Sequence, residues 1–214
     1  MWEQVQEATF RIRNLSSLAL GAGAGFGVSP HLIVTNRHVV EGRDGPKARA
    51  GGPDDDPLEV STWDGRVVEV EATDMAHGHD LAALRTGRKL QGAVEFAQRP
   101  ACAGDLVHVV GYPLGGQFTM IRGLVVDQIE GPALGDQSHV LRVKAVVLPG
   151  YSGGPILNVR GEVVGIVYAL GRATRYALAI PVSSLSHWLA SASLPHVRPV
   201  QASRGESPDE KAEA

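Results

Sequence analysis

Three short segments carry side chains that together can make and break a bond at a carbonyl carbon. Thr35-Asn36-Arg37-His38-Val39-Val40 ends an apolar run with a histidine in a short turn. His79-Asp80-Leu81-Ala82-Ala83-Leu84 puts an acid at the mouth of an apolar strand, and Pro149-Gly150-Tyr151-Ser152-Gly153-Gly154-Pro155 seats a serine in a tight glycine turn. A serine hydroxyl is a poor nucleophile at neutral pH and needs a base within hydrogen-bond reach to take its proton. Imidazole suits that role because its charge changes near neutral pH and it can hand the proton on to a leaving amine. A carboxylate on the other ring nitrogen fixes the tautomer and stabilises the imidazolium that forms. Taken singly the segments are ordinary, since histidines often follow strands, Asp forms turns and Gly-rich Ser turns are common. Their joint occurrence, in the order His38, Asp80, Ser152, is what points to a nucleophilic system.

A scaffold must bring positions so far apart in the chain to one place, and the rest of the sequence supplies strands for it. Leu58, Val60 and Thr62 alternate, Asp64-Gly65 predicts a two-residue primed hairpin turn, and Val68, Val70 and Ala72 alternate on the return. Further strands are expected at 8–13, 18–28, 32–35, 81–85, 106–112, 118–129, 140–145, 163–168 and 175–180, the many-stranded pattern of an all-β sandwich or barrel. They divide into two sets, about 5–90 and 97–181, and two barrels would place any site in the cleft between them. One helix is predicted at about 183–193, capped by Ser183, with Leu185, Trp188, Leu189 and Ala192 as its apolar stripe. Residues 43–57, with three adjacent aspartates, read as a surface loop, and residues 196–214 as a flexible tail.

Composition narrows the partners. The chain has 214 residues, 43% hydrophobic and 20% charged, enough for a packed core and too little charge for wholesale disorder. Its 26 glycines and 13 prolines fall short of the roughly 25–30% that marks low complexity. A net charge of −3 gives no footprint for nucleic acid or an anionic membrane surface. Cys102 is the single cysteine, so neither an intrachain disulfide nor a multi-cysteine zinc site can form. His77 and His79 lack a third ligand of suitable spacing, so no metal is expected. Gly21 to Gly27 misses the dinucleotide fingerprint at Phe26 and Val28, so no cofactor is expected either. Asn14 to Asn36 is free of charged residues, but its glycines and Pro30 interrupt it too often for a secretory leader or a spanning helix.

The order and settings of His38, Asp80 and Ser152 resemble those of the trypsin-like serine proteases over residues 5–190. Thr35-Asn36-x-His38-Val39-Val40, Gly111-Tyr112-Pro113, Gly161-Glu162-Val163-Val164-Gly165-Ile166 and Ala179-Ile180-Pro181 are similar to the bacterial HtrA-like branch, including actinobacterial acid-resistance proteases. The resemblance implies one protease domain over 5–195, built as two six-stranded antiparallel β-barrels with a C-terminal helix. It implies a His38–Asp80–Ser152 triad and protein or peptide substrates, and relatives often add a PDZ domain or membrane anchor that is not expected here. The backbone N–H groups of Gly150 and Ser152 are the candidate oxyanion hole, because a residue without Cβ at 150 lets the peptide turn its N–H inward.

Departures from the family pattern carry their own expectations. Tyr151 stands where trypsins carry the aspartate that pairs with a freed N-terminus, which disfavours activation by propeptide cleavage. Val146 stands where specificity for basic residues would need an acid. Beside Val147 and Leu148, an unpaired Arg or Lys would be buried at a cost on the order of several kcal/mol. Cleavage is therefore expected after Val, Ala or Leu, with Tyr168, Ala169 and Leu170 as further substrate-binding candidates. Tyr168 replaces the Ser or Thr that supports the aspartate in many relatives, and Arg37 is expected to point to solvent. The alternative is a protease-like fold kept for peptide binding with little turnover. If Met1 is the native start, the cytosol is expected; if the sequence is an excised domain, the periplasm or exterior is. The sequence is silent on oligomeric state.

Overall fold

The computed structural model of the chain describes residues 2–15, 21–41, 58–133, 137–171 and 176–194. The first half runs α1 (Trp2–Glu7), β1 (Thr9–Asn14), β2 (Gly21–Ser29), β3 (Leu32–Thr35), α2 (Arg37–Glu41), β4 (Leu58–Ser61), β5 (Val70–Met75) and β6 (Ala82–Thr86). Its strands form an antiparallel six-stranded sheet in the order β4-β1-β2-β3-β6-β5. The second half runs β7 (Leu106–Gly111), a 3₁₀ turn (Pro113–Gly115), β8 (Thr119–Ala133), β9 (Gln137–Lys144), β10 (Pro155–Leu157), β11 (Val163–Leu170) and β12 (Ala177–Pro181). Its six antiparallel strands close into a barrel in the order β10-β11-β12-β9-β8-β7, and α3 (Val182–Ser191) follows. The expected mostly-β pair of six-stranded units is thus present, the first open between β4 and β5 among the described residues and the second closed.

Strand periodicity produces the burial. Along β1, Phe10 and Ile12 are buried while Arg11 and Arg13 are half-exposed on the other face. Phe10, Ile12, Ile33, Val60 and Leu84 fill the first sheet, and Val109, Leu141, Ile156 and Ala179 fill the barrel. A third cluster joins the halves, with Phe26 and Leu81 from the first, Val110, Ile166 and Tyr168 from the second, and Trp188 and Leu189 from α3. Each fully buried large side chain there contributes about 1.5–3 kcal/mol. The halves therefore meet across a continuous apolar seam. Between them, Ala97 N–H donates to the Val163 carbonyl at 2.9 Å and Val163 N–H to the Glu95 carbonyl at 2.8 Å, fastening the connecting segment to β11.

Local structure departs from the sequence reading in several places, among them the short strand β10, which was not expected. The predicted hairpin forms, with Val68 N–H donating to the Val60 carbonyl at 2.8 Å, but its turn is longer than two residues. Gly65 N–H reaches the Thr62 carbonyl at 3.0 Å and only Gly65 has positive φ, the pattern of a type I turn followed by a left-handed glycine. The return strand then leaves β4 and pairs with β6. Helices α1 and α2 were not expected; both are too short for periodicity to show. Helix α3 starts one residue early: Pro181, extended at φ −61° and ψ 148°, takes the capping position instead of Ser183, because β12 stays paired up to Pro181 and the chain passes directly from strand to helix. The expected loop at 43–57 and tail at 196–214 lie outside the described residues. Among those described, no helix is long and apolar enough to cross a membrane.

Candidate active site

The site lies where the two halves meet, and His38, Asp80 and Ser152 all come from segments flanking strands rather than from strand middles. Buried β3 ends at Thr35, and Asn36, fully buried, turns the chain into α2. Asp80 precedes β6 in a turn closed by the hydrogen bond from Ala76 N–H to the Leu81 carbonyl at 3.0 Å, with Leu81 fully buried as its anchor. Register between β3 and β6, Thr35 opposite Ala82, sets these turns side by side. Asn36 Nδ2 then donates to the Asp80 carbonyl oxygen at 2.8 Å.

The Asp80 carboxylate engages His38 twice. Oδ2 lies 2.6 Å from Nδ1 of the ring, and Oδ1 accepts the His38 backbone N–H at 3.0 Å. Two contacts from one planar group fix the ring's position and turn Nε2 away from the acid. The Asp80 side chain is 15% exposed and that of His38 43%, so the acid is sheltered while the ring reaches the cleft. Arg37, beside His38, pairs with Glu41 at 3.0 Å along α2.

Ser152 sits in the second half on a turn held from three directions. Its carbonyl accepts Ala24 N–H of β2 at 2.7 Å, Gly153 N–H donates to the Val167 carbonyl at 2.8 Å, and Val167 N–H returns to the Gly154 carbonyl at 3.0 Å. Glycine is required at 153: φ is +81°, and a Cβ would stand 2.1 Å from the Ala24 carbonyl oxygen. The cleft, of about 500 Å³, has both His38 and Ser152 among its lining residues, together with Gly150. No hydrogen bond joins the Ser152 hydroxyl to the His38 ring among the described residues. The N–H groups of Gly150 and Ser152 likewise have no acceptor there, whereas Tyr151, Gly153 and Gly154 all donate.

The remaining walls are apolar. Val147, Leu148, Tyr168, Ala169 and Leu170 line the cleft, as do Val39 and Val167, which the sequence reading did not single out, and no acidic side chain lines it among the described residues. Val146 is placed elsewhere. It is 85% exposed and outside the lining, because Ala145 and Val147 on either side turn into the barrel core and extended chain alternates. Tyr168 is buried, and burial, helped by the nearby Asp80 carboxylate, pushes its phenol up to about 12. Asn36 was also missed; a polar residue following the apolar run of Leu32, Ile33 and Val34 was the available signal. Among the described residues, no group of three or more His, Cys, Asp or Glu is arranged to hold a metal ion.

Comparison with known proteins gives a consistent result. The trypsin-like peptidase domain matches residues 23–166. Serine protease Rv3671c of Mycobacterium tuberculosis is 35% identical over 155 residues, covering 68% of this chain and 35% of that protein. Serine protease HTRA3 of Rattus norvegicus is 29% identical over 189 residues, covering 85% of this chain and 40% of that protein. The chain thus spans well under half the length of these relatives. The crystal structure of Rv3671c protease in its inactive form superposes with a TM-score of 0.70 at 27% identity, over 87% of this chain and 89% of that one. The active form superposes with a TM-score of 0.77 at 24% identity, over 94% and 86%.

Proposed function

The chain belongs to the trypsin-like peptidase family, and from that premise we propose that it is a serine endopeptidase working through an acyl-enzyme on Ser152. The observation that carries this reading is the double engagement of His38 by Asp80 at the edge of the cleft that Ser152 also lines. With Nδ1 committed to the acid, Nε2 is the nitrogen left to take the Ser152 proton as Oγ attacks the scissile carbonyl. That contact need not be closed beforehand, since catalytic hydrogen bonds often tighten only once substrate is bound. The same nitrogen then protonates the leaving amine, and water repeats the sequence to release the acid. The unbonded N–H groups of Gly150 and Ser152 receive the negative oxygen of the tetrahedral intermediate, a donor pair of which each member is typically worth about 2.7–4 kcal/mol.

Apolar walls of Val147, Leu148, Val167, Ala169 and Leu170 favour small or medium apolar residues before the cut, Val, Ala or Leu, over Arg or Lys. Ser152→Ala is expected to lower cleavage of an unfolded protein such as casein by at least about a thousandfold. A fluorophosphonate probe is expected to add one label to the wild-type chain and none to the variant. Undiminished cleavage by the variant overturns the assignment. The absent hydrogen bond between Ser152 and His38 favours a second reading, a peptide-binding module with little turnover. That reading is supported if the intact chain binds apolar peptides yet never takes the label.

A further inference from the structure

We propose that β1 of the first half is the positioning element for the oxyanion hole of the second, acting through the turn at residues 112–116. The inference rests on the reading of Gly150 and Ser152 as that hole, and deepens it by naming what holds Gly150 in place. The Pro149 carbonyl accepts Leu114 N–H at 2.7 Å, and the Gly150 carbonyl accepts Tyr112 N–H at 3.1 Å. A trans peptide directs its C=O and N–H to opposite sides. With the Pro149 oxygen drawn to Leu114, the Gly150 N–H faces away from that turn, toward the cleft that Gly150 lines. A rotated Pro149–Gly150 peptide would instead turn an oxygen to the place where the anion forms.

Leu114 presents its N–H at a cost. Its φ is +55°, a left-handed conformation that residues with a Cβ rarely adopt, and the residue is 71% exposed, so packing does not explain the strain. What sustains the turn comes from β1. The buried Tyr112 hydroxyl donates to the Thr9 carbonyl at 2.8 Å. Arg11 Nη1 and Arg13 Nη2, on the same face of the strand, both donate to the Gly115 carbonyl, at 3.4 and 3.3 Å. Either guanidinium contact alone is long for a hydrogen bond, so the two act together. Arg11 is itself braced by Ser61 Oγ at 3.2 Å, and Arg13 by Glu59 at 3.6 Å. One strand thus grips the turn through three hydrogen bonds, and the turn grips both carbonyls that flank the Gly150 N–H.

The test uses the full chain with Arg11→Met and Arg13→Met combined, and separately Tyr112→Phe, which removes a hydroxyl while keeping the ring. A peptide ester and a peptide boronate ending in a valine analogue serve as probes, the boronate because its tetrahedral adduct places an oxygen in the hole. Expected are a ten- to hundredfold fall in kcat with KM within threefold, a matching loss of boronate affinity, and recovery to within threefold in the double Arg→Lys variant. A merely structural role would move KM and thermal stability instead. Selective ¹⁵N-glycine labelling reads the Gly150 amide directly, and its resonance is expected to shift in both variants. An unmoved Gly150 amide, or kcat within threefold of wild type in both, overturns the proposal. If the wild-type chain turns over no substrate, the peptidase reading fails, while the Gly150 amide still decides whether β1 orients this peptide.

Discussion

Asp80 gives both carboxylate oxygens to a single residue, one to the ring of His38 and one to its main chain. Asp80→Asn preserves the shape but offers an amide where Nδ1–H needs an acceptor, stabilising the wrong tautomer. On the proposed mechanism kcat falls about ten-thousandfold, with KM little changed, as steady-state kinetics on a peptide ester will show. Tyr168, held near pKa 12, first by burial and then by that carboxylate, stays neutral through the working range and does not compete as a proton source. At this scale the local settings of Asp80 and Ser152 were legible because each sits in a bend or turn whose neighbours in sequence define it, whereas His38, expected in a turn, lies in α2. The outward orientation of Val146 was not legible, since alternation reveals that neighbours differ in face but not which of them is inside. Leu114 was invisible for another reason: nothing in a leucine announces a left-handed backbone.

Strands carried most of what could be read in advance, because period-two alternation in segments such as β1 is a direct imprint of a one-sided core. Short helices left no such imprint, and the exit from β12 into α3 was decided by strand pairing rather than by Ser183. The link between β2 and the Ser152 turn is equally hidden, since it consists of backbone groups. Gly153→Ala tests it: the added carbon would stand 2.1 Å from the Ala24 carbonyl oxygen and 2.4 Å from Thr35 Oγ1, at a φ of +81°. Loss of more than about 2 kcal/mol in urea unfolding is expected, or failure to accumulate as folded protein. A nearly neutral result would mean that β2 and this turn are not packed as described.

Across the whole molecule, α1 reaches over to the second half, where the Trp2 ring meets His108 of β7 with centroids 4.6 Å apart. Burial, and then the positive charge of Arg122, lowers the His108 pKa from its ordinary 6.5. The unfolded chain therefore binds the proton more readily than the folded one, and stability falls as pH drops below about 6.5 toward the folded value. Urea midpoints measured from pH 7.5 to 5 are expected to decline less steeply in His108→Phe; parallel curves would show that another group governs acid sensitivity. The seam between the halves has a further consequence. His38 and Asp80 precede the exposed Cys102–Asp105 turn, while Gly150 and Ser152 follow it. On the proposed mechanism, the chain divided at that turn would give two fragments, one holding His38 and Asp80 and the other Ser152, each inert by itself. Hydrolysis would then serve as a split reporter, its rate a measure of how often the fragments find each other again.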